Sequence, residues 1–190
     1  MPRPGPPAQS GTSLLELFAA LAIIATLATL ALPVFTLLER EESARVLRQF
    51  LSLVASARSA AIRLGHPVTL CPVDERNRCI RDWRTGVMLF VDADEDRQRG
   101  NNEALLSVVH WHDLQGSLHW RAFGNRRYLL VDPFGGLTGQ NGNLTWCPSA
   151  AGSAPAHQLV LNGSGRFRFA RDSDGDGLRE DSRGQPLRCL

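Results

Sequence analysis

The chain has 190 residues, of which 43 % are hydrophobic, and a formal net charge of +2. That length suits one globular domain plus an additional element, and so small a charge excludes a global electrostatic footprint for nucleic acid, leaving only a local patch. All 21 basic residues are Arg, and without Lys neither P-loop nor Schiff-base chemistry is available.

Residues 1–11, MPRPGPPAQSG, are rich in Pro and Gly and carry one charge, Arg3. They are too short and too polar for the apolar region of a secretory signal. From Leu17 to Leu38 there is no charge. At about 1.5 Å per residue a helix over that run measures about 33 Å, enough to cross a bilayer core. Glu16 stands at the edge of this run, where a carboxylate is costly and usually has a task. Pro33 should bend or locally break the helix.

Past Leu38 the helix should continue. Glu39-Arg-Glu-Glu opens a polar stretch, after which Leu47, Phe50, Leu51, Val54, Ala57, Ala61 and Leu64 recur at helical spacing. Gly65 and Pro67 supply the stop. The expectation is one long helix, apolar all round in its first half and amphipathic in its second. The first half would sit in lipid or against neighbouring subunits, and the second would pack on a domain.

After Pro67 the pattern turns to strands: Val68–Cys71, Val87–Val91, Leu105–His110, Leu118–Arg121, Tyr128–Val131, Asn143–Cys147, Gln158–Leu161 and Arg166–Ala170. Turn-forming residues separate most of them. A long helix packed on an antiparallel sheet is an α+β arrangement.

The four cysteines are Cys71, Cys79, Cys147 and Cys189. None forms a CxxC, which argues against zinc. Two disulfides in a periplasmic or extracellular domain are the expectation, with four buried thiols as the alternative. Four cysteines allow three pairings. Cys71–Cys79 with Cys147–Cys189 is favoured, because the first pair closes a short polar loop.

Near the C-terminus, Gly165-Arg166-Phe167-Arg168-Phe169 alternates in a way that puts both Arg on one strand face and both Phe towards the core. Arg171 can extend the basic face. Two or three Arg on one edge can grip phosphates with fork geometry, and a solvated strand face is the bland alternative. Asp172-Ser-Asp174-Gly-Asp176-Gly177 has the alternating carboxylates and Gly turns of half a calcium loop, with Glu180 or Asp181 as a further ligand. An EF-hand would need Glu where Arg183 stands, and a solvated acidic loop is the alternative. Asp92, Asp94 and Asp96 lack the Gly. His110, His112 and His119 read as surface residues rather than a zinc pair. No GxSxG, HExxH or GxGxxG supports catalysis.

Gly11-Thr-Ser-Leu-Leu-Glu16, followed by an apolar helix containing Pro33, resembles the N-terminus of type IV prepilins. The resemblance implies that a prepilin peptidase removes residues 1–11, cutting between Gly11 and Thr12, with methylation of the new N-terminus. Thr12 stands where the family has Phe, and the leader carries one Arg where several basic residues are normal. Arg3 agrees with a cytoplasmic leader. Glu16 would pair with the freed α-amine of a neighbouring subunit during assembly.

Trp83-Arg-Thr-Gly86-Val-Met-Leu-Phe90-Val-Asp92, Leu144-Thr-Trp-Cys147, Leu159-Val-Leu-Asn-Gly-Ser-Gly165-Arg-Phe-Arg168 and Gly184-Gln-Pro-Leu-Arg-Cys189 narrow the likeness. They are similar to the GspH/FimT family of minor pilins and pseudopilins. That implies a type IV pilin-like fold: leader 1–11, transmembrane half-helix 12–38, amphipathic half-helix 39–65, and a β-rich periplasmic or extracellular domain 66–190. It also implies a single-pass inner-membrane protein that joins other minor and major pilins or pseudopilins in a filament, without catalysis; no cofactor is expected beyond the Ca2+ that the acidic loop could hold.

In FimT-like members a Gly-Arg-x-Arg motif resembles a DNA-contacting element of natural transformation. Gly165, Arg166, Arg168 and Arg171 are therefore the candidate contacts to double-stranded DNA. Two rivals remain. One is a GspH-like pseudopilin of type II secretion that touches no DNA; the other is a signal-anchored periplasmic enzyme.

Overall fold

The architecture comes from a computed structural model that describes residues 13–112, 114–137, 140–149 and 155–189, with side chains at 29–40 outside the description. The chain divides into two compact units, Met1–Leu37 and Leu38–Leu190.

Helix α1 spans Leu14–Leu64. Ser13 starts it: the Leu15 N–H donates to Ser13 Oγ at 3.2 Å, and the N–H groups of Glu16 and Leu17 donate to Ser13 O. A Ser three residues before a Glu has the spacing of a capping box, and it places the Glu16 carboxylate at the positive end of the helix dipole. The helix runs without interruption through position 33, so of the bend or local break expected at Pro33, the break does not occur. One proline removes a single ladder bond, and the helix-forming residues around it carry the ladder on. Gly65, at φ +67°, ends α1 with its N–H on Ala61 O, the left-handed cap that glycine adopts without strain.

In the first unit, the described side chains from Leu14 to position 28 are all exposed. Leu17, Phe18, Leu21, Ile23, Ile24 and Leu27 are among them. Thr26 Oγ1 donates back to the carbonyls of Ala22 and Ile23, so its hydroxyl is satisfied within the helix, as an apolar surrounding requires. Among the described residues no helix is long and apolar enough to cross a membrane. The apolar run, however, continues into 29–38.

In the second unit all eight expected strands are present, with ends shifted by a residue or two: β1 Val68–Pro72, β2 Gly86–Val91, β3 Leu105–His110, β4 Gly116–Ala122, β5 Leu129–Val131, β6 Gly142–Pro148, β7 His157–Leu161 and β8 Phe167–Phe169. They form two four-stranded sheets rather than the single sheet expected. Their orders are β3-β2-β1-β5 and β4-β6-β7-β8, and every strand pairing among the described residues is antiparallel. The chain changes sheet after β3 and twice more around β5, which returns to pair with β1 before β6 pairs with β4.

One face of the second half of α1 makes the core. Val46, Leu47, Phe50, Val54, Ala57 and Ala61 join Val68, Leu70, Leu118, Leu144, Trp146, Leu159 and Leu161, all buried. Each large side chain so buried contributes roughly 1.5–3 kcal/mol. The rings of Phe50, Trp83 and Trp120 lie within 5.3–6.1 Å of one another. The first sheet is covered on its other face as well, by a second cluster of Cys71, Val73, Met88 and Phe90. That accounts for β1, whose residues are all buried, where a half-exposed strand would alternate.

Candidate functional site: a basic sheet edge, an acidic loop and two disulfides

Among the described residues β8 pairs only with β7, which makes it an edge strand, and it places Arg168 opposite Val160, Phe167 opposite Leu161 and Phe169 opposite Leu159. Arg166, Arg168 and Arg171 are all exposed, as a phosphate-gripping edge needs. Arg166 is held by its own loop: its N–H donates to Asn162 Oδ1 at 2.8 Å and its Nε to Ser164 Oγ at 3.3 Å. The expectation for the phenylalanines holds in part. Phe167 packs on the core, but Phe169 is 45 % exposed. A three-residue edge strand has no neighbour on its outer side to cover its last side chain.

Gly165 has a structural reason of its own. It is buried at φ +73°, and a Cβ there would lie 1.6 Å from Arg58 Nη2. That nitrogen donates to the Gly165 carbonyl, tying the second half of α1 to the start of the basic edge. The Gly165-Asn162 contact, N–H to carbonyl at 2.8 Å, closes the turn.

The acidic loop follows. Asp172, Asp174, Asp176 and Glu180 each bring a carboxylate oxygen within 4.8 Å of the others. Asp172 accepts the N–H groups of Gly175 and Gly177, Asp174 that of Asp176, Asp176 that of Leu178, and Glu180 that of Ser173. The Gly175 N–H, with that of Gly177, holds the Asp172 carboxyl below its ordinary range. The four oxygens are thus both grouped and locally bonded. Asp181 faces elsewhere: it accepts the N–H groups of Arg183 and Gln185 and pairs with the Arg183 guanidinium at 3.2 Å.

Asp92, Asp94 and Asp96 also converge. Asp92 is fully buried and accepts the Thr69 hydroxyl at 2.5 Å. Burial pushes its carboxyl above the usual carboxylate range, against that hydrogen bond. Of the histidines, His110 bonds Asn77 Oδ1 and His119 bonds Ser117 Oγ. None of the three belongs to a converging ligand group among the described residues.

Cys71 is bonded to Cys79 and Cys147 to Cys189, the pairing favoured from the short polar loop. The second bond ties the C-terminal segment to β6.

Glu42 was passed over in the sequence as part of a polar stretch. It is buried on α1 and accepts the N–H groups of Gln115 at 2.9 Å and Gly116 at 3.1 Å, with Trp146 Nε1 at 3.4 Å. It fixes the start of β4 to the helix. Only its place four residues before Val46 and eight before Phe50, on the core-facing stripe, signals this. Gly11 and Thr12 lie outside the described residues, as does the Pro33 side chain. Glu16 is exposed.

A family profile described as type II transport protein GspH matches residues 46–165. The match begins in the amphipathic half of α1 and ends at Gly165, before the two Arg and the acidic loop. Among solved structures, the type IV minor pilin FimU of Pseudomonas aeruginosa PAO1, in space group P21, superposes with a TM-score of 0.50 at 16 % identity, covering 70 % of this chain and 91 % of that one. A second crystal form of FimU, P65, gives a TM-score of 0.45 at 15 % identity, covering 65 % and 89 %. At such identities the likeness concerns the fold alone. No curated protein matches the chain.

Proposed function

The chain belongs to the GspH family of type IV pilin-like proteins, and from that premise we propose that it is a minor pilin which joins or primes a type IV pilus and holds DNA during uptake. The observation that carries the assembly half is the contrast along α1. Residues 14–28 expose their apolar side chains, while the second half buries one face in the domain. An exposed apolar helix needs lipid or other helices around it.

On this reading residues 12–38 anchor the chain in the inner membrane, with the β domain on the periplasmic side where its disulfides persist. Prepilin peptidase releases residues 1–11, and the α-amine of Thr12 becomes available. Glu16, on the first turn of α1, then pairs with the corresponding amine of a neighbouring pilin; an ionised carboxylate among apolar helices needs such a partner. The role is structural and calls for no catalytic residue. N-terminal sequencing from cells with an active prepilin peptidase tests the first step. A chain beginning at Thr12 is expected, and one retaining Met1 overturns the assignment.

The DNA half rests on Arg166, Arg168 and Arg171, exposed on an edge with no acid on the strand. Binding through two or three phosphates is weak, independent of sequence and steeply salt-dependent. With the full-length chain in detergent, Arg166→Gln with Arg168→Gln should weaken duplex binding and flatten its salt dependence by about 1.8 in log–log slope, two contacts at about 0.9 each. Unchanged affinity removes this half. Ca2+ in the loop of Asp172, Asp174, Asp176 and Glu180 would offset the negative charge beside that edge. Titration with Ca2+ should show binding that Asp172→Asn with Asp176→Asn abolishes; no calcium uptake by the wild type leaves a solvated acidic loop.

One observation favours a second reading, the pseudopilin of type II secretion. Gly165, half of the resemblance to a DNA-contacting motif, is required by the turn and by Arg58 whether or not DNA is bound. Under that reading duplex binding is absent and the filament contacts are the same.

A further inference from the structure

A second concentration of positive charge lies away from β8. A concavity of about 290 Å³ at the β4 edge is lined by Arg81, Arg121, Arg126 and Arg127, with Asn125 beside them and the indoles of Trp83 and Trp120 among its walls. No acid lines it. The two indoles are 5.3 Å apart and packed with Phe50, so the wall is rigid. Trp120 Nε1 donates to Arg126 O at 3.0 Å, which fixes the segment carrying two of the guanidiniums. Trp83 is 3 % exposed, and its indole Nε1 is buried with no hydrogen-bond partner among the described residues. Buried polar groups nearly always have partners. That nitrogen is sealed from solvent, so Trp83 gives the pocket the face of its ring and not a donor.

Arg121 also lines a second, larger hollow, of about 830 Å³, between the outer face of the second sheet and the C-terminal segment. Strand register joins this hollow to β8. Arg121 pairs with Asn143, Asn143 with Val160, and Val160 with Arg168. Directly paired residues share a face, so Arg121 and Arg168 end one row on the outer face, about 14 Å apart at about 4.8 Å per strand. Among the described residues Asp181 is the one acid in the larger hollow, and Arg183 pairs with it.

We propose that the four-Arg pocket binds a backbone phosphate of single-stranded nucleic acid, whose chain continues past Arg121 across the outer face towards Arg168. Guanidinium forks match phosphate oxygens better than any other side chain. The charge here is all of that kind. A concave pocket of this size takes one phosphate and its sugar, and the groove beyond it offers the amide of Asn143 on its floor. A duplex carries its backbones on a convex outside and meets only the rim; a single strand can enter. The site rests on the reading that the domain meets nucleic acid, but not on the duplex contact at β8.

The experiment is fluorescence anisotropy of the full-length chain in detergent, with a labelled oligothymidylate and a labelled hairpin duplex, at two salt concentrations. Arg121→Gln with Arg127→Gln should bind the oligothymidylate about tenfold or more weakly, with a log–log salt slope shallower by about 1.4, while duplex binding is retained. Arg45→Gln with Arg48→Gln, on the exposed side of α1, serves as the charge control and should bind as the wild type does. Tryptophan emission should change when the oligothymidylate binds the wild type, since two indoles wall the pocket. Three results overturn the proposal: no oligothymidylate binding by the wild type at low salt, no effect of the pocket pair, or an equal loss in the control pair. Competition by inorganic phosphate at the oligonucleotide's own affinity would also overturn it, reducing the pocket to a small-anion site. Loss of duplex binding on changing Arg166 and Arg168 is a separate outcome, and speaks only to β8.

Discussion

In the second half of α1, Phe50 is fully buried against the rings of Trp83 and Trp120; in the first half, Phe18 is 63 % exposed. Both sit on one continuous helix. The same residue type therefore contributes to folding in one place and waits for a partner in the other. The lesson is that hydrophobicity along a helix does not by itself assign a residue to a core. The second half alternates apolar with charged positions and finds its cover within the chain. The first half is apolar all round, and a single sheet face cannot cover a whole helical circumference.

The comparison breaks most visibly under truncation. Phe50→Ala should lower the stability of the domain by about 3–5 kcal/mol, read from urea unfolding followed by tryptophan emission. Phe18→Ala should leave that unfolding unchanged. If both lowered it equally, the two halves would belong to one core.

Smaller effects sharpen the role of the second half as a fastening. Glu42→Ala strands the N–H groups of Gln115 and Gly116 and should cost about 2–3 kcal/mol, since each loses a bond to a charged acceptor. Gly165→Ala should cost about 2 kcal/mol, from the left-handed backbone and the displaced Arg58. With Arg58→Ala the two losses should not add, because the pair is in contact.

The smallest effect is a pH dependence. The Asp92 carboxyl titrates above its ordinary value of 3.8 in the folded state, so the folded chain holds a proton that the unfolded chain has released. Stability therefore falls as pH rises from 3.8 through the raised value, and is flat above it. In Asp92→Asn that fall should be missing from the unfolding midpoints measured across the window. An unaltered profile would assign the dependence to another group.

How much of this was legible in the sequence follows from the distance over which each feature acts. The eight strands, the stop at Gly65 and the pairing of Cys71 with Cys79 are local, and turn residues and alternation reveal them. The division into two sheets is not local: nothing within β4 says that it pairs with β6 and not with β3. The carboxylate of Glu42 reads as a solvated helix residue until β4 is brought to it. Gly165 was legible as a turn but not as the landing place of Arg58, which lies far away in the chain. The four-Arg pocket was equally hidden, since Arg81, Arg121 and the Arg126-Arg127 pair come together only in the fold. Phe169 misled because alternation assigns a face but cannot say whether an edge strand's face is covered.

The central claim, that the exposed half of α1 is completed by other helices in a filament, is tested most directly by Glu16→Ala in cells that assemble the filament. The variant should insert in the membrane and unfold at the wild-type urea midpoint, yet be missing from sheared, purified filaments. Its recovery in those filaments at wild-type abundance would contradict the account.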